Sequence, residues 1–181
     1  MRKVKMMHCW KSIPITRQDG FFRLVITSFL TMLLTFIFLY SIAHAFHDGV
    51  GLNDEYIAFF IFTLVLLYPV HKALHYLPLR ILGGKCRLFI NKKGQLKFRF
   101  HEPVAKNIYK LALLFPFLIL TSVGIFFTLS FPEYFHYGVL LIALHTGLCV
   151  EDFVFLKNLS HTPKACLVDE TEDSLEILIN R

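Results

Sequence analysis

Pro69-Val70-His71-Lys72-Ala73-Leu74-His75 closes an almost purely apolar run that begins at Tyr56. Residues four apart lie one above the other on a helix face. His71 and His75 therefore present two imidazoles to the same point, as a metal ion requires. Metalloproteases of the H-E-x-x-H type use this spacing, with the glutamate as general base. Here Lys72 stands in the glutamate's place. The stretch offers a ligand pair and withholds the usual base. It also sits at the end of a segment long enough to cross a bilayer, and that decides the fold class.

Outward from this stretch the chain stays apolar. Of its 181 residues 55% are hydrophobic, twenty are Phe, and only 18% are charged; the mean hydropathy is +0.56. That balance excludes an ordinary soluble domain. A spanning helix needs about 20 apolar residues, and four stretches qualify: Leu24 to His44, Tyr56 to Leu79, Leu111 to Phe131 and Tyr137 to Leu156. The expectation is an all-α membrane protein with four transmembrane helices and a small cytosolic β-hairpin between helices two and three. The first apolar run starts too late and extends too far for a cleavable signal peptide. No halves repeat, which disfavours a transporter.

Residues 1–23 form a basic arm with Trp10, Phe21 and Phe22 among its cations, the composition of a membrane–water interface. Despite a pI of 9.2, this arm is an anchor and not a nucleic-acid surface. Residues 24–157 form the membrane domain, with its hairpin loop at about 80–108, and residues 158–181 a tail. Lys and Arg crowd the arm, the middle loop and the tail, and are missing from the loops at 46–55 and 132–136. The positive-inside rule then places both termini and the middle loop in the cytosol of a multi-pass cell-membrane protein. Within the middle loop, the runs 86–90 and 95–100 flank Asn91-Lys92-Lys93-Gly94, a hairpin signal. The tail runs 167–169 and 175–179 could each add a strand. Pro78 is expected to end the second span. Cys9, Cys86, Cys149 and Cys166 show no paired spacing, so neither a disulfide frame nor a cysteine zinc site is indicated.

Depth connects the histidines to a distant carboxylate. At ~1.5 Å per residue, His71 lies roughly 22 Å and His75 roughly 28 Å from the start of span two. Asp152 lies fifteen residues beyond Tyr137 in a parallel span, again roughly 22 Å in. Two His and one carboxylate with an open fourth position form a catalytic zinc pattern, so His71, His75 and Asp152 are the candidate ligands for Zn2+. The competing role for Asp152 is a helix cap or a partner of Lys157. Glu151 points about 100° away from Asp152 and is one candidate base. Glu102, in His101-Glu102-Pro103, is the other. His145, roughly 10 Å above Asp152, is too far to share the metal; it could line the approach, but a histidine hydrogen-bonded between helices is the preferred reading. Cys149 is taken as packing. Pro69 and Pro116 are expected to kink their spans.

The order of these features resembles a known family: His-x-x-x-His in a second span, a basic hairpin, Tyr109 and Pro116-Phe117 in a third, then His145-Thr146-Gly147-Leu148-Cys149-Val150-Glu151-Asp152. It is similar, over roughly residues 20–180, to the small bacterial membrane proteins grouped as domain-of-unknown-function 3267 and labelled zincin peptidases. That family looks distantly like site-2-type intramembrane metalloproteases. The resemblance implies that His71 and His75 match the histidine pair and Asp152 the distant carboxylate of a membrane metallopeptidase acting on a membrane-protein substrate. Lys72 departs from the pattern at the base. The alternative is a non-catalytic relative that binds a membrane partner through the same groove.

The charge asymmetry yields a direct test. A reporter fused after Lys93 is expected in the cytosol and one fused near Asn53 outside; the reverse orientation would overturn the depth argument too.

Overall fold

A computed structural model describes residues 7–14, 18–47, 49–82, 86–90, 96–100, 103–163, 166–170 and 174–180. The chain is largely helical. Helix α1 spans Gln18–Phe46, α2 Ile57–Leu82 and α3 Lys106–Ser130. At ~1.5 Å per residue each exceeds the ~30 Å of bilayer hydrocarbon. A short 3-10 turn at Pro132–Tyr134 leads into α4, Phe135–Leu148, and α5, Val150–Ser160.

The three long helices are apolar enough to cross a membrane, and the α4–α5 pair makes a fourth span if its 41° bend is counted as one crossing. The sequence suggested an unbroken fourth span. The break falls at Cys149, whose ψ of −9° departs from the α-helical value near −42°. What covers α1 confirms the environment. Ala43 is its only buried side chain among those described, whereas Leu34 and Phe38 are each 66% exposed. An apolar surface of this extent needs lipid against it. Hydroxyls inside the helices turn back onto their own backbone: Thr27 Oγ1 donates to Arg23 O, Thr63 Oγ1 to Phe59 O and Thr146 Oγ1 to Ile142 O. In hydrocarbon no water would satisfy them. This is a membrane protein.

Small residues set the helix packing. Cβ atoms built at Gly124 and Gly138 would strike Ile142 and Thr128 respectively, so α3 and α4 approach backbone to backbone. A Cβ at Gly147 would come within 3.1 Å of Met32 Cβ and Ser28 O on α1. Between spanning helices, such close contact replaces the hydrophobic drive that lipid removes. At the 46–57 end, Asn53 N–H donates to Glu133 O, joining the loop between α1 and α2 to the one between α3 and α4. Phe60 stacks on Tyr137 with ring centroids 4.5 Å apart.

The opposite end carries β structure. Strands β2, Cys86–Ile90, and β3, Leu96–Phe100, pair antiparallel from Cys86 with Phe100 to Ile90 with Leu96. This is the expected hairpin; its turn at 91–95 lies outside the described residues. The tail forms β5, Cys166–Glu170, and β6, Ser174–Asn180. The sheet these strands enter was not foreseen. Strand β1, Met7–Pro14, lies within the basic arm and pairs with β6, while β4, Val104–Ala105, pairs with β5, giving the order β1-β6-β5-β4. A strand whose partner residues are 160 or more positions away leaves no local sequence signal. Val104, Val168 and Ile177 of this sheet pack with Leu79 of α2 and Leu159 of α5 in one buried cluster. Lys106 locks the corner: its buried Nζ donates to the carbonyls of Thr162 at 2.6 Å and Pro163 at 3.3 Å. A cation is well placed there, where α5 ends and leaves carbonyls open.

Pro78 does not end α2, which continues to Leu82. Its ring is buried, and packing offsets the lost backbone bond.

Gly138→Leu is expected to cost about 1–3 kcal/mol by overpacking against Thr128. It should lower the thermal midpoint in detergent, whereas Gly51→Ala, with no heavy atom within 4 Å, should leave the midpoint unchanged.

Candidate metal centre

Helix α2 contributes His71 and His75, α5 contributes Asp152, and α3 supplies the carbonyl that orients His75. All three side chains are at least 95% buried. His71 Nε2 and His75 Nε2 are 3.1 Å apart. Asp152 reaches both, with Oδ2 3.2 Å from His71 Nε2 and Oδ1 3.3 Å from His75 Nε2. The equal-depth estimate put Asp152 level with His71, and the two do meet.

Proton placement shows what these atoms can hold. His75 Nδ1 lies 2.7 Å from the carbonyl oxygen of Ala112. Only an N–H can face a carbonyl, so the neutral imidazole turns the lone pair of Nε2 toward the cluster. That carbonyl is available because of Pro116. A helix carbonyl accepts from the N–H four residues on, and residue 116 has none. His71 Nδ1 lies 3.2 Å from His145 Nε2. With His71 donating there, its Nε2 also carries a lone pair. Three lone-pair donors then converge within 3.3 Å with no proton between them, and Asp152 Oδ2 is buried without a hydrogen bond. Such a cluster repels itself unless a cation occupies its centre. Tetrahedral ligands at ~2.0–2.1 Å would sit about 3.3–3.4 Å apart, close to the spacing present. The residues fit a divalent metal. The carbonyl behind His75 and the imidazole behind His71 are the outer partners that metal-binding histidines normally have.

The other sequence candidates lie elsewhere. Glu151 is half-buried and outside this donor group. It lines an apolar groove of about 540 Å³ with Phe29 and Met32 of α1, Leu67 and Tyr68 of α2 and Leu144 of α4. Glu102 is outside the described residues. Lys72 is half-buried one position from His71. Sequence reasoning expected His145 to hydrogen-bond between helices, as it does, without naming its partner, and missed Ala112. His145 is distant from Asp152 along its own helix, but interhelical packing brings it onto His71. The role of Ala112 could have been found by counting four residues back from Pro116.

A buried His-His-Asp cluster among helices long and apolar enough to cross a membrane is the arrangement expected of a zincin-like membrane protein. A family model described as "Putative zincin peptidase", domain of unknown function 3267, matches residues 64–167, more than half of the chain and all of the cluster. The chain belongs to this family, and the family implies a metal. No curated protein and no solved structure matches the chain significantly.

Pro116→Ala should restore an N–H that competes for the Ala112 carbonyl and loosens His75. Metal affinity is expected to fall about 10- to 100-fold, read by chelator competition, with stoichiometry unchanged.

Proposed function

We propose that this protein holds zinc between α2 and α5 through His71 Nε2, His75 Nε2 and an Asp152 oxygen, and works as a membrane metallopeptidase on proteins within or beside the bilayer. The observation that carries the reading is the buried three-donor cluster, two imidazole Nε2 atoms and a carboxylate within 3.3 Å of one another, which is mutually repulsive without a cation when both Nε2 atoms present lone pairs. Zinc supplies Lewis acidity toward a carbonyl and activates water at neutral pH.

The chain's own residues then divide the remaining work. His75 is held by Ala112 and His71 by His145. Asp152 neutralises part of the metal charge. The base must be a carboxylate that reaches the open coordination side, and Glu151 and Glu102 are the candidates. Both termini and the hairpin face the cytosol in this reading, so the cluster lies toward the cytosolic side.

Lys72 favours a second reading, in which the protein is a non-catalytic relative that keeps the metal fold and binds a membrane partner. A lysine cannot serve as the carboxylate that activates water, and it snorkels readily to a nearby interface.

Metal analysis of the purified protein is expected to show zinc, sharply reduced in His71→Ala, His75→Ala and Asp152→Asn. Unchanged zinc in these variants would overturn the ligand assignment. Lys72→Glu should keep or raise zinc occupancy. Glu151→Gln or Glu102→Gln should abolish cleavage of a membrane substrate while zinc stays bound. If instead only Lys72→Glu cleaves, the wild type is the non-catalytic relative.

A further inference from the structure

His71 belongs to a second cluster through its other nitrogen. Nδ1 lies 3.2 Å from His145 Nε2, and Cys149 Sγ lies 3.4 Å from that same atom. The donor atoms of His71, His145 and Cys149 are all within 4.8 Å of one another. None of the three residues is more than 2% exposed. His145 and Cys149 are four apart, on one face across the break between α4 and α5. A three-coordinate ion with ~2.0 Å bonds to nitrogen and ~2.3 Å to sulfur would space its ligands by about 3.5–3.7 Å. The two spacings to His145 Nε2, 3.2 and 3.4 Å, are within a few tenths of an ångström of that arrangement, and the third edge lies within 4.8 Å.

We propose that His71, His145 and Cys149 form a second metal position, for a soft monovalent ion of the Cu(I) type. Two arguments set the class. The donors are one sulfur and two imidazoles with no oxygen, the set that soft ions prefer. Charge gives the valence: a thiolate and two neutral imidazoles around a monovalent ion make a neutral assembly, whereas a divalent ion would leave a net charge in an apolar interior. Binding displaces the Cys149 thiol proton to solvent.

The two positions exclude each other. A neutral imidazole has one lone pair. When His71 Nε2 faces the carboxylate cluster, Nδ1 carries the proton toward His145. When Nδ1 binds the soft ion, Nε2 carries the proton and donates it to Asp152 Oδ2, 3.2 Å away. Cu(I) therefore displaces zinc without entering its site. This exclusion rests on the zinc reading; the Cu(I) position does not.

The test uses the full chain in detergent under anaerobic conditions, titrated with Cu(I) against bicinchoninate. Wild type is expected to bind one equivalent with a mixed sulfur and nitrogen shell by X-ray absorption, and to release its zinc as it does so. Cys149→Ser should lose that equivalent and keep zinc. Asp152→Asn should lose zinc and keep the Cu(I) equivalent. Retention of Cu(I) by Cys149→Ser, or a sulfur-only shell in wild type, would overturn the position. The wild-type spectrum decides the matter even if Cys149→Ser fails to fold. Cu(I) binding with zinc retained would overturn the exclusion alone. Unchanged zinc in Asp152→Asn, with the Cu(I) results as expected, counts against the zinc reading and not against this one.

Discussion

Pro116 cannot donate a backbone hydrogen bond, and the carbonyl it leaves free at Ala112 receives His75 Nδ1–H at 2.7 Å. In hydrocarbon an open carbonyl costs several kcal/mol, so this contact removes a penalty while fixing an imidazole. The same bond chooses the tautomer, and the tautomer points the Nε2 lone pair at His71 and Asp152. The donor geometry therefore depends on a defect in a neighbouring helix. Without the proline, α3 would keep that carbonyl to itself and His75 would lose this hydrogen bond.

The rest of the fold serves to hold α2, α3 and α5 around that contact. Glycines bring α3 against α4, and Gly147 admits α1. The sheet closes one end, and Lys106 ties the start of α3 to the end of α5. These ties matter because lipid offers helices no hydrophobic reason to associate. Burial is accordingly uneven. Much of α1 and the outer face of α2 meet lipid, while the few polar side chains at His71, His75, His145 and Asp152 take the protected interior. Ionisable groups at such depth are expensive and usually functional.

Lys72 and Glu151 define how this chain differs from a standard metallopeptidase. The helix places residue 72 about 100° from His71, at the position that H-E-x-x-H proteins give to a glutamate. Glu151, next to a ligand candidate in sequence, faces instead an apolar groove between α1 and α2.

The sequence by itself determined the membrane class, because apolar runs of bilayer length have no other stable home. It also determined the histidine pair, because a spacing of four has a fixed meaning on a helix, and the β2–β3 hairpin, because turn chemistry is local. Depth counting placed Asp152 level with His71 for the same reason: rise per residue is nearly constant. Tertiary structure alone decided what lies across a helix interface. The contact of His145 with His71, the groove that Glu151 lines, and the bend at Cys149 each depend on how close two backbones come, which glycines and packing set. The pairing of β1 with β6 likewise joins segments at opposite ends of the chain, and no local pattern encodes a partner that far away.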